Sequence, residues 1–320
     1  RFVGANGVKF PTLPDVKTGR VAEIGFEGDL VDNTPAGLRF VEGNRSAMVY
    51  FRAQGTATVS GAHPIRFDEC EVNLADNQAQ LHINNAGLFQ SSLTDDWLTL
   101  TRGEVHLNAA GTLSVSKTRA FQINTNTLLH LNHEGLTVRI AEEGVTIPAS
   151  PAENYALELR GSLRISKGKL IVGAPNLPAG RTADFQYYVS SDTRLELRGG
   201  RCETYGHFRG ALGYSNCNIS YIQSGGEFFV AAPNVPTEKP GLDITGKEFQ
   251  MTGGELVYAG AGAPESVGDV VINAQTSTIS GGTIRLTGSE ATPRSLSMVS
   301  NTPLYNLSCE GTNLQVRVLR

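Results

Sequence analysis

The sequence predicts an all-β chain wound as a parallel β-helix, and three observations carry that reading. Four stretches read alike: LRGGRCET (197–204), QSGGEFFV (223–230), MTGGELVY (251–258) and ISGGTIRL (279–286). Their second glycines, Gly200, Gly226, Gly254 and Gly282, are spaced by 26, 28 and 28 residues, so one structural unit is stacked repeatedly. Beyond each glycine the chain alternates with period two, as a half-buried strand does: Phe228/Val230, Leu256/Tyr258 and Ile284/Leu286 face a core while Glu227, Glu255 and Thr283 face water. Windows with helical periodicity are almost lacking, and Thr, Asn, Ser and Gly are abundant throughout.

Two further short alternating segments precede each anchor, such as Leu242 to Ile244 then Phe249 to Met251, and Val270 to Ile272 then Thr278 to Ile279. Three strands and three corners per ~28 residues make one coil, and glycine suits corners that need positive φ or lack room for a Cβ. A weaker form of the frame extends upstream through Gly168, Glu134, Gly103 and Cys70, and downstream to LSCEG (307–311). With coil lengths of 26–34 residues, the reading gives about ten coils and, at ~4.8 Å per coil, a rod about 50 Å long. Residues 1–60 read as irregular N-terminal coils or a cap, 61–194 as longer coils and 195–320 as the regular glycine coils of one solenoid. Leucine-rich repeats would need a Leu/Asn consensus with helical segments, propeller blades ~40–50 residues, and a sandwich hairpin turns without a fixed register.

Composition narrows the function classes. The chain has 320 residues, 40% of them hydrophobic, and a net charge of −4 with no basic stripe, which argues against nucleic acid as a partner. No apolar run approaches the ~20 residues that span a bilayer. The chain begins at Arg1 without a signal peptide and ends in an alternating strand at 314–320, and it reads as a segment of a larger protein. Cys202 falls at an inward position and Cys217 shares parity with Ile219, so a Cys202–Cys217 disulfide is open, although buried free thiols are the plainer expectation. Cys70 and Cys309 are assigned to the glycine corner. No CxxC or Cys/His spacing suggests a metal, and no cofactor is implied.

Candidate sites are few. The loops APNLP (174–178) and APNVP (232–236), carrying Asn176 and Asn234, lie two coils apart and would stack into a ridge open to a glycan or a surface receptor. Asp95 and Asp96 beside Trp97, the only tryptophan, form an acidic pair with an aromatic platform. They precede a strand and most simply occupy a solvated turn, and His207 is too many coils away to share their chemistry. Arg160, Arg164, Lys167 and Lys169, with Arg194, Arg198 and Arg201 in the next coil, would give a basic patch for an acidic polysaccharide. Flanking Glu158 and Glu196 favour ordinary solvated charges instead. The six histidines show no ligand spacing, and Asn273, Asn301 and Asn306 suit a structural asparagine ladder.

The segment ISGGTIRL (279–286) followed by LSMVSNTPLYNL (296–307) resembles a recurrent pattern in large secreted surface proteins of Bacteroidota, similar to type IX secretion substrates and adhesins. The resemblance covers about residues 195–316. It implies a right-handed, pectin-lyase-like solenoid, export to the cell surface and contact with secretion machinery, and it carries over no catalytic residue. The leading expectation is a non-enzymatic adhesin or stalk segment. A lyase or hydrolase acting on acidic polysaccharide, and a passive component of a secretion or motility assembly, are the alternatives.

Overall fold

A computed structural model describes residues 20–33, 37–38, 40–42, 45–67, 69–85, 98–116, 120–141, 155–175, 183–211, 214, 216–232, 240–260, 269–288, 294–312 and 314–319. Every element among them is a β-strand, and every pairing is parallel except the short hairpin of Val41–Glu42 with Arg45–Phe51. The strands fall into three ladders that climb the same axis, which makes the chain a parallel β-solenoid.

The first ladder runs from Arg20–Phe26 through Arg45–Phe51, Glu69–Asn73 and Leu98–Leu107 to Arg294–Ser300 and Leu314–Leu319. The second holds the sites described below. Its successive partners Ile83, Leu107, Leu131, Ile165, Leu197, Gln223, Met251 and Ile279 mark seven turns, the shortest between Ile83 and Leu131 and the longest between Leu131 and Leu197. The third begins at Gly111–Ser116 and ends at Asn306–Glu310.

The glycine repeat has a single physical cause. Gly168, Gly200, Gly226, Gly254 and Gly282 all have φ between 66° and 86°, the left-handed region open to glycine. They also stack on one another: a Cβ on Gly254 would lie 2.6 Å from the Gly226 carbonyl oxygen, and one on Gly226 would lie 2.5 Å from that of Gly200. The corner therefore excludes any side chain on two counts.

Upstream of Gly168 the expected frame does not hold. Gly103 lies within Leu98–Leu107, where it begins the second-ladder pairing by facing Thr127, and the third-ladder strand of that coil starts at Gly111. Val138, not Leu136, pairs with Leu170, so Glu134 is two residues out of frame. Cys70 is no corner residue. It is a buried first-ladder residue between Val49 and Leu98. Downstream, Leu307 pairs with Ile284 rather than following Ile279, and Cys309 pairs with Leu286 on a strand. Insertions and deletions at corners between ladders explain each slip, because they change coil length without disturbing the pairing. The two coils between Ile83 and Leu131 also fall below the expected range, since the equivalent residues Asn84, Asn108 and Asn132 follow one another at separations of 24.

Inward residues of the three ladders build one continuous core. One stretch of it is aromatic: Phe208 meets Phe185 and Phe228 edge to face at 4.9 Å each, and Tyr221 stacks on Phe249 at 5.4 Å. Each such ring buries ~150–250 Å² and adds about 0.5–1.5 kcal/mol per pair beyond area burial. Cys202 lies in this core, paired with Leu170 and Phe228, as its parity requires.

Candidate functional site

The outer face of the second ladder carries the densest chemistry among the described residues. Parallel pairing without slippage aligns equivalent positions in straight rows. One row is Gln80, Glu104, Leu128, Ser162, Arg194 and Ser220, and the next is His82, His106, His130, Arg164, Glu196 and Ile222. A groove of about 520 Å³ follows the first row, walled by Asn77, Gln78 and Asn126 at one end and by Thr193, Glu196 and Ser220 at the other. Of its lining side chains only Leu128 and Leu163 are apolar, and its charged members are two acids, Glu104 and Glu196, and two arginines, Arg164 and Arg194.

Beside the groove, three histidines from successive coils form a stack. The rings of His82 and His106 are parallel with centroids 4.6 Å apart, and those of His106 and His130 meet edge to face at 5.1 Å. Partner chemistry assigns the protons. His106 Nε2 donates to Glu104 Oε2 at 3.0 Å, so its Nδ1 is bare and accepts from His130 Nδ1–H at 2.9 Å. His130 Nε2 then accepts the Ser166 hydroxyl at 2.9 Å. His82 donates from Nε2 to Gln80 Oε1 and accepts Asn108 Nδ2 at Nδ1. An asparagine row closes the stack, with Asn132 donating to Asn108 and Asn108 to Asn84.

Burial, then the neighbouring charges of His106, Arg164 and Arg198, push the His130 ring down to about 4 against the opposing pull of Glu196, so it is neutral at pH 7. Burial and His106 lower His82 as well, against Glu104.

The arginines beyond the histidines are neutralised. Arg164 Nε donates to Glu196 Oε2 at 2.7 Å, Arg198 Nε donates to Glu196 Oε1 at 2.7 Å, and Arg194 stands 3.7 Å away. Burial works against the Glu196 carboxylate, but the hydrogen bonds from Arg164 and Arg198 and the charges of Arg164 and Arg194 outweigh it and hold the group below its usual range. Arg160 is bound to buried Glu158 at 2.8 Å and stacks over Tyr188, and Lys169 meets Glu203 at 2.8 Å. The expected basic patch is thus an ion-pair network in which Arg160, Arg164 and Lys169 each have an acidic partner.

A second polar cluster is buried on the first ladder. Asp184 Oδ1 accepts both the backbone N–H and the Nδ1–H of His207 at 2.9 Å, and Asp184 Oδ2 accepts from Arg209 Nη2. All three residues are under 5% exposed. Burial opposes the Asp184 charge, yet the bonds from His207 and the charge of Arg209 hold it low.

Asp95, Asp96, Trp97, Asn176 and Asn234 lie outside the described residues. The four cysteines are thiols, with Cys70 and Cys202 buried, Cys217 half-buried and Cys309 exposed. Cys217 Sγ is turned to the carbonyls of Ala211 and Tyr214 at 3.7 Å. Asn301 donates to Asn273 at 2.9 Å, as a structural ladder requires, whereas Asn306 belongs to a different ladder. Among the described residues no group of three or more His, Cys, Asp or Glu is placed to hold a metal, and no helix is long and apolar enough to cross a membrane.

No protein-family model, curated protein or solved structure matches the chain. The reading of function therefore rests on the groove and its surroundings. The histidine stack was open to sequence reasoning, since His106 and His130 recur at the same separation of 24 as Asn84, Asn108 and Asn132, with His82 one step before them. A search framed on the longer glycine spacing passes over it.

Proposed function

We propose that the chain is an extracellular surface module, an adhesin- or stalk-like segment of a large secreted protein, that binds a glycan along the groove of its second ladder. The groove carries this reading: nearly every lining group is a hydrogen-bonding one, and its two acids balance its two arginines. Such a surface suits a neutral polyhydroxylated chain better than a polyanion, because the arginines are already committed to carboxylates. From Glu104 to Ser220 the groove spans four coil steps, about 19 Å at ~4.8 Å each, room for an oligosaccharide lying along the axis.

Cleavage of the glycan backbone fits less well. Glu104 and Glu196 stand three coils apart, about 14 Å at ~4.8 Å per coil. Paired carboxylates in glycosidases are separated by ~5–9.5 Å. The finer architecture in this proposal is a right-handed, pectin-lyase-like solenoid of about ten coils, supported by continuation of the second ladder through Leu30 and Val59 ahead of Ile83. The secreted surface setting rests on the 279–307 motifs.

A glycan-array screen of the purified chain, followed by calorimetry with the best neutral oligosaccharide, tests the proposal. Arg194→Ala and Ser162→Leu should each weaken binding about tenfold, the loss of ~1.4 kcal/mol expected for one good hydrogen-bonding contact. Absence of glycan binding, or binding unchanged in both variants, would sink it.

A further inference from the structure

We propose that Ser166 is an activated nucleophile and that the chain hydrolyses carboxylic esters, with Ser166 and His130 as catalytic residues and His106 and Glu104 as positioning residues. The proposal goes beyond glycan binding and fails or stands separately from it.

Ser166 follows strand Ser162–Ile165, at the turn before positive-φ Gly168, and is half-buried. Its backbone N–H donates to the Leu131 carbonyl at 2.9 Å, which fixes the residue over the preceding coil. From there a single chain of hydrogen bonds runs along the outer face to the coil of Glu104: Ser166 Oγ to His130 Nε2 at 2.9 Å, His130 Nδ1 to His106 Nδ1 at 2.9 Å, and His106 Nε2 to Glu104 Oε2 at 3.0 Å. Gln80 Nε2 holds the same carboxylate oxygen at 3.0 Å. A nucleophile bonded to a base, and that base oriented by a further group ending in a carboxylate, is the constellation that activates serine. A second imidazole stands between base and acid, and the tautomers it imposes leave His130 Nε2 bare towards the hydroxyl.

Register places Arg198 beside Ser166, since Leu197 pairs with Ile165; its side chain is 53% exposed, and its Nε donates to Glu196 Oε1 at 2.7 Å. Ser166 is half-buried at a turn on the outer face, so the substrate class is a carboxylic ester with a short acyl group.

The reaction balances as ester plus water giving acid plus alcohol. Ser166 Oγ bonds to the carbonyl carbon while its proton passes to His130 Nε2. The carbon–oxygen bond to the alcohol breaks, and His130 returns that proton to the leaving oxygen. Water then adds to the acyl-serine carbon, giving a proton to His130; the serine ester bond breaks, Ser166 regains a proton, and the carboxylic acid departs.

His130 is held as free base down to about pH 4, so activity should rise along a limb near pH 4 rather than near 6.5, and a base this weak gives a modest rate. The test is fluorophosphonate labelling of the purified chain, with the adduct located by mass spectrometry, alongside p-nitrophenyl acetate hydrolysis from pH 3.5 to 8. The expected result is one adduct, on Ser166, and a loss of hydrolysis of about 10²-fold in both Ser166→Ala and His130→Gln, each folded by circular dichroism. His106→Gln, whose amide oxygen can still accept the His130 Nδ1–H, should keep a larger share of the hydrolysis than His106→Leu, which cannot, a split that mere structural damage would not produce. An unlabelled Ser166 in the folded wild type would overturn the proposal, as would labelling or hydrolysis undiminished in His130→Gln.

Discussion

Acid should weaken this solenoid at one identifiable coil, through His130. The ring is 9% exposed and neutral, accepts one hydrogen bond and donates another, and is held down to about 4, whereas an unfolded histidine titrates near 6.5. The folded pKa is the lower one, so the unfolded chain takes up the proton first as pH falls. Stability is then complete above about pH 6.5 and is lost progressively down to pH 4. Linkage gives a loss of about 2 kcal/mol between pH 7 and pH 5, with a steepest slope of about 1.2 kcal/mol per pH unit. Urea unfolding of wild type and His130→Gln at both pH values, followed by circular dichroism, isolates the term because every other titrating group is shared. The wild type should lose about 2 kcal/mol more than the variant. Equal losses would refute the claim that the fold keeps this ring unprotonated.

Other predictions follow from the corner, the buried ion cluster and the thiols. Gly254→Ala should cost about 3 kcal/mol or more, since it combines φ of 80° with a Cβ 2.6 Å from a carbonyl oxygen, while Gly28→Ala, with nothing within 4 Å, should stay within about 0.5 kcal/mol in the same unfolding assay. Asp184→Asn should destabilise by about 3 kcal/mol because it strands the buried Arg209 charge. Adding Arg209→Met should cost less than the sum of the single changes, a coupling of about 1 kcal/mol or more in a double-mutant cycle. A thiol reagent at pH 8 should modify Cys309 first and Cys217 slowly. Cys70 and Cys202, whose thiols burial pushes far up, should react only after unfolding, when all four are counted.

How far the sequence could be read depended on what each position is forbidden to be. The column from Gly200 to Gly282 was legible because left-handed backbone, joined at Gly200, Gly226 and Gly254 by a carbonyl at 2.5–2.6 Å, leaves glycine no substitute, so the pattern survives in the letters. Upstream, the third-ladder corner is met by Gly111 and then Leu136, and alternating strands such as Glu104–Leu107 resemble those of any ladder, so a weak frame jumped between ladders. Coil length hid the histidine stack, whose step is shorter than that of the glycines. The Asp184–His207–Arg209 cluster gave no signal at all. Its members lie 23 and 25 residues apart and meet only because Phe185 pairs with Phe208.

The direction of the ladders carries a mechanical consequence. Strand-to-strand hydrogen bonds in the coil from Gln223 through Met251 to Ile279 lie along the long axis, so a pull between the ends loads the bonds of successive coils in series. Nothing shears in parallel, and coils yield singly, each freeing about 28 residues or ~95 Å of chain at ~3.4 Å per residue. A solenoid built this way lengthens in steps under tension, and so limits the peak force it transmits from one end to the other.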